Sequence, residues 1–252
     1  MNKRIPNWVL GILLIFAAIG LLAGLFAGLV RLGWAIKGGS PVSPLMHGPL
    51  MVNAFLGTLI SLERAAALEK EWAYSAPILM VIGTVFLLAD FVPTAEWLFV
   101  AGAFMMVVVL VYLYKFQPET YHLMMAAGGA SLLVGNILYA FGFAIFNLVA
   151  WWMGFLLLLI FAERLELNRI MRPPQKAQNF FAALAVLWLI GVSLTYLDRY
   201  IGWLIACIAL ILQASWLFKY DIARKTIRSV AWTKYSAICL LSGYVWLILA
   251  AI

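Results

Sequence analysis

Residues 8–30 read WVLGILLIFAAIGLLAGLFAGLV, an apolar run without one charged side chain. A helix rising 1.5 Å per residue needs about 20 such residues to cross about 30 Å of hydrocarbon, and this run exceeds that. Lys3 and Arg4 precede it, as a basic start precedes the core of a signal peptide. The run is too long for a cleaved hydrophobic region and no small-residue cleavage site follows, so it reads as a retained first membrane span.

Working outward, the same test marks further spans at 44–66, 73–91, 96–115, 120–142, 146–164, 178–197, 200–218 and 231–251. The breaks have physical causes. GGSPVSP (38–44) joins flexible Gly to Pro, which lacks a backbone donor; Pro93 and Pro118 stand between spans; ERLELNRIMRPPQK (163–176) is charged and ends in a double proline. A β-barrel needs alternating polarity, and these runs are uniformly apolar. The expectation is an all-α bundle of about nine transmembrane helices, one integral membrane domain over 1–252, with no soluble domain hidden in the short loops.

Composition agrees. The chain is 66% hydrophobic and 11% charged, with mean hydropathy +1.04, whereas a soluble domain carries about a quarter charged residues to face water. The net charge of +7 is explained by position rather than by nucleic acid. With the N-terminus inside, Lys3, Arg4, Arg64, Lys70, Lys115, Arg164, Arg169, Arg172, Lys176, Lys219, Arg224, Lys225, Arg228 and Lys234 fall on the cytoplasmic side. Only Arg31, Lys37 and Arg199 fall outside, out of 17 lysines and arginines. A wrong helix count would scramble that asymmetry, so the N-terminus is expected in the cytoplasm and the C-terminus outside. The expected partner of these cations is the lipid bilayer. Trp8, Trp72, Trp216 and Trp232 near inner ends, and Trp34, Trp97, Trp151, Trp152 and Trp203 near outer ends, read as interfacial belts. Cys207 and Cys239 lie in apolar runs and read as small buried residues, not as a disulfide.

Polar residues inside lipid need a reason. On the second span Asn53, Gly57, Ser61 and Arg64 follow His47 on one stripe, with Thr58 beside it; on the fifth, Ala126, Gly129, Leu133 and Asn136 follow His122. Both stripes read as protein-facing. Gly20, Gly24 and Gly28 in the first span let another helix approach closely, as a dimer seam or, the preferred reading, as internal packing. Glu63–Arg64 and Glu163–Arg164 echo each other at the inner ends of spans two and six, as ordinary interfacial charge pairs or, alternatively, as a duplicated gate or a partner-docking site. Glu119 shares a face with His122 and reads as a carboxylate at a helix N-terminus rather than a proton entry.

His47 and His122 are the only histidines and the candidate metal ligands. One haem shared between them is disfavoured, since the topology puts them near opposite faces, roughly 20 Å apart in depth, while two axial nitrogens on one iron lie about 4 Å apart. His47 alone has cations beside it: a haem on His47 would turn its propionates towards Arg31 and Lys37, near Trp34, Met46 and Met51. The competing reading is a histidine hydrogen-bonded to a neighbouring helix. Walker lysine loops, GxSxG, CxxC and HExxH are absent, as are buried paired carboxylates, so soluble-type catalysis is not expected.

The segment HGPLMVNAFLGTLISLERAAAL (47–68) resembles a stretch of bacterial multi-pass proteins grouped with the NnrS family, and its HGxxM start resembles the second helix of the haem–copper oxidase catalytic subunit, where that histidine ligates haem. AERLELNRIMRPP (162–174) and CLLSGYVWLILAA (239–251) resemble later parts of the first family. The resemblance implies a protein of the bacterial cytoplasmic (inner) membrane tied to haem b, copper or nitric oxide handling, with His47 as an axial ligand. It also implies a further histidine-bearing helix after the ninth, so that a second ligand would come from additional C-terminal helices or another membrane subunit. The alternatives are a permease for a small solute, using the stripes around Asn53 and Asn136, and a non-catalytic assembly subunit docking through the Gly20–Gly24–Gly28 face.

Overall fold

The computed structural model describes residues 6–34, 43–171 and 173–252. Among them, the helices long and apolar enough to cross a membrane are α1 Asn7–Arg31, α2 Pro44–Leu68, α3 Glu71–Leu88, α4 Val92–Phe116, α5 Thr120–Ala140, α6 Ile145–Met171, α7 Gln175–Leu194, α8 Arg199–Tyr220 and α9 Ala231–Ala250. They number nine and match the expected spans within a few residues; no strand occurs among the described residues. The protein is an all-α, multi-pass membrane bundle.

The largest departure lies at the end of α6. Helix continues to Leu167 and closes with a 3-10 turn to Met171, past the expected end at 164. Glu, Arg and Leu are good helix formers, so charge alone does not stop the helix; Pro173 and Pro174, which cannot continue it, do.

The chain divides into two compact units, Met1–Phe116 with Gly129–Trp152, and Gln117–Gly128 with Met153–Ile252. In the first, α1 packs on α2 and α3 packs on α4. The small-residue stripe makes the first of these contacts. A Cβ on Gly20 would meet Ala54 Cβ and backbone at 2.8–2.9 Å, one on Gly24 would meet Met51 Sδ at 2.8 Å, and one on Gly28 would meet His47 Nδ1 at 2.9 Å. That stripe is therefore internal packing, and it is not an exposed face on which a partner could dock. Leu13, Leu62, Ala65, Tyr74, Val81 and Val109 form an apolar cluster in the same unit. In the second unit α7 and α8 form an antiparallel pair whose close approach rests on Gly191 against Ala206 and Gly202 against Thr195, and α9 packs on α8.

Within α2, Leu50–Gly57 is π-helical. The segment starts directly after Pro49 and ends where Thr58 donates its N–H to the Asn53 carbonyl, five residues back. π-Helical turns are rare and gather at functional sites. This one lies one turn from His47 and includes Asn53, which is fully buried.

Candidate functional site

His47 opens the helical part of α2 against α1. Its Nδ1 lies 2.8 Å from the Gly24 carbonyl oxygen. A carbonyl can only accept, so Nδ1 carries the proton and, in the neutral ring, Nε2 carries the lone pair. A backbone carbonyl on the far nitrogen is the usual means by which a ligating histidine is held in tautomer and orientation. Gly28 makes room for the ring. The half-buried imidazole lines a pocket of about 660 Å³ with Leu25, Gly28, Leu29, Arg31 and Leu32, a size and a largely apolar lining in the range of cofactor sites, about 300–1,000 Å³. His47 and Arg31 thus line one pocket. Lys37, the other expected cation, lies outside the described residues.

A second polar cluster lies deeper in the same unit. Asn136 donates to Asn53 Oδ1 at 2.8 Å and to the Phe99 carbonyl at 3.1 Å, and accepts from Trp152 Nε1 at 3.0 Å. All three side chains are buried. Asn53 Nδ2 is buried without a partner. The protein-facing reading of both stripes holds at Asn53, Gly57, Ser61, Ala126, Gly129 and Asn136. That the two asparagines meet was not legible, since nothing in one sequence pairs two helices.

His122 sits in the other unit. Its Nδ1 donates to the Gln117 carbonyl at 2.9 Å across the start of α5, and its ring lies against Tyr121. It is half-buried. Among the described residues no group of three or more His, Cys, Asp or Glu side chains could hold a metal ion.

Several single readings need correction. Trp152 is buried, not interfacial: its indole lies between Gly48 and Gly135 and bonds Asn136. Trp216 is likewise buried, donating to the Ala177 carbonyl at 2.9 Å. Cys239 is exposed and Cys207 half-buried. Arg64 lies 3.7 Å from Glu63, and the Arg164 guanidinium forks onto Asp221 at 2.7 and 2.5 Å. Asp221, fully buried, also accepts from Tyr244 at 2.6 Å and from the Ala223 amide at 2.7 Å. Burial opposes its ionisation, and the bonds from Arg164, Ala223 and Tyr244 outweigh it, holding the carboxyl below the usual range. The Asp stood in the sequence just after an apolar span, which was the only available signal.

Fold and sites together define a multi-pass helical membrane protein with a histidine-lined pocket near one end of α1. The chain belongs to the DUF8744 family, described as a domain of unknown function, whose model matches residues 10–252. Comparison with curated proteins and with solved structures gives no match.

Proposed function

We propose that the chain is a haem-binding membrane protein of respiratory or nitric-oxide-handling type, with His47 as axial ligand. The observation that carries this reading is the Nδ1 bond to the Gly24 carbonyl, which leaves the lone pair on Nε2 of a ring that lines a pocket together with Arg31. The donor set fits haem better than a bare metal ion: one neutral imidazole suffices for iron already held by a porphyrin, whereas copper or zinc alone needs several protein ligands. In this reading His47 would hold the group. Arg31, and Lys37 beside it in sequence, would pair with its carboxylates, and Leu25, Leu29 and Leu32 would shield it from water. When bound, the haem would supply one-electron transfer or binding of a small gas at iron. The resemblance of residues 47–68 to haem-handling families supports the same assignment, and a second ligand would come from another subunit or a further helix. The proposed location is the bacterial inner membrane.

Protein purified from haem-replete cells should carry a Soret band at about one haem per chain. His47→Ala should lose it while eluting and melting as the wild type does. A wild type without a Soret band and without stoichiometric iron would overturn the reading.

A second reading, passage of a small uncharged solute, draws on the unpartnered amide nitrogen of Asn53 beside a π-helical turn. Uptake into proteoliposomes that Asn53→Leu abolishes would support it; solute permeability equal to that of empty vesicles would remove it.

A further inference from the structure

We propose that the second unit holds an anionic phospholipid, its phosphate among Lys219, Arg224, Lys225 and Arg228 and an acyl chain along the α7–α8 groove beside them. Two adjoining cavities carry the argument. The first, of about 570 Å³, is lined by Met171, Lys219, Arg224, Lys225 and Arg228 and contains no acidic residue. The second, of about 530 Å³, is a mostly apolar groove lined by Phe180, Leu212 and Trp216 together with Lys176, Lys219 and Tyr220. Lys219 lines both, so the cationic pocket and the apolar groove meet at that residue.

The cations are available for a ligand. Asp221 is the one carboxylate in the segment KYDIARKTIR (219–228), and Arg164, Tyr244 and the Ala223 amide already occupy it. Among the described residues no ion pair joins Lys219, Arg224, Lys225 or Arg228 to an acid. Arg224 is braced by donating to the Lys219 carbonyl at 2.8 Å. The groove wall is equally fixed: Trp216 stacks on Phe181 at 4.3 Å and bonds the Ala177 carbonyl.

Cations that only set topology need to lie on the correct side of the membrane; they need not converge on a pocket. Convergence beside an apolar groove is the arrangement that suits a phosphate diester with its chain attached, through charge-assisted hydrogen bonds to the phosphate oxygens. The charge asymmetry of the sequence predicts this end of α8 to face the cytoplasm, where anionic headgroups are available.

The full chain, delipidated in detergent, is to be titrated by native mass spectrometry with phosphatidylglycerol, with phosphatidylcholine and with inorganic phosphate as competitor. The expected result is one retained phosphatidylglycerol bound at least about fivefold more tightly than phosphatidylcholine. R224Q/R228Q should abolish the preference and R224K/R228K should restore it. K115Q/K234Q, which removes equal charge elsewhere on the same predicted side, should keep it. L212W, at an exposed groove position, should weaken phosphatidylglycerol without changing the charge. Equal binding of the two lipids would overturn the proposal. So would a preference that survives R224Q/R228Q, loss of preference in K115Q/K234Q, or displacement of the lipid by millimolar phosphate, which would indicate a free-anion site.

Discussion

The side chains of Asn136 and Asn53, 83 positions apart, meet at 2.8 Å through an N–H of Asn136 and the side-chain oxygen of Asn53. Asn136 is the hub of this cluster, because it also bonds the Phe99 carbonyl and accepts from Trp152. Such a cluster fixes which helix faces meet, since a misregistered pairing leaves these buried amides without partners.

The hub should be the costlier site to lose. Asn136→Ala strands the Asn53 oxygen and the Trp152 indole, takes a second donor from the Phe99 carbonyl, and should destabilise the protein by about 2–4 kcal/mol. Asn53→Ala breaks one bond and removes a nitrogen that has no partner, so about 1 kcal/mol is expected. Denaturation of the two variants in mixed micelles would reveal the order; equal losses would refute the hub assignment.

The Arg164–Asp221 fork predicts a particular response to acid. The folded pKa of Asp221 lies below its unfolded value of 3.8. Its contribution to stability is therefore fully present above about pH 4 and is lost as pH falls through the lower folded value. Asp221→Asn leaves the Arg164 guanidinium, only 12% exposed, without its counter-charge; a loss of about 3–5 kcal/mol at pH 7 is expected. Part of the wild type's acid sensitivity should vanish with it. Tyr244→Phe removes one bond to the same carboxylate and should cost about 1 kcal/mol. Melting curves of the three proteins from pH 7 down to pH 3 test the linkage; an Asp221→Asn variant as acid-sensitive as the wild type would contradict it.

What the sequence made legible was the one-dimensional part of the fold. Hydrophobic run length and proline breaks located the helices because lipid enforces both on each span independently. Stripe reading identified Asn53, Ser61 and Asn136 as protein-facing for the same reason. Which stripe meets which is a property of two helices, so neither the Asn53–Asn136 bond nor the Arg164–Asp221 fork could be read from one chain. Trp152 was misread because an aromatic near a span end satisfies the belt rule whichever way it points. The π-helical turn at Leu50–Gly57 has no residue signature beyond Pro49 and Gly57 at its borders. For His47, the neighbouring cation Arg31 was legible, but the Gly24 carbonyl that fixes its tautomer was not.

The glycines of α1 should differ in tolerance because they face different neighbours. A methyl on Gly20 would press on Ala54 backbone carbon at 2.9 Å, which cannot move aside without shifting α2. At Gly24 the obstacle is chiefly the Met51 thioether at 2.8 Å, a flexible chain end. Gly20→Ala should therefore destabilise by about 1–3 kcal/mol and Gly24→Ala by less, whereas Gly24→Leu should be disruptive. These losses should appear in the stability of the isolated chain. An effect of Gly24→Leu only on co-purification with another protein would mean that the stripe serves a partner instead.

Orientation follows from charge placement and can be tested apart from any function. Arg169 in the last turn of α6 and Lys176 in the first turn of α7 flank the segment between these helices, and Arg199 opens α8 after the α7–α8 turn. The asymmetry over all 17 basic residues puts the first segment in the cytoplasm and the second outside, because lysines and arginines resist translocation. A reporter active only outside the cytoplasm should stay silent when fused after residue 176 and become active when fused after residue 198. Activity at 176 would invert every depth inferred here. It would also move the Lys219–Arg228 cations to the outer leaflet, and with them the leaflet from which the proposed lipid would be drawn.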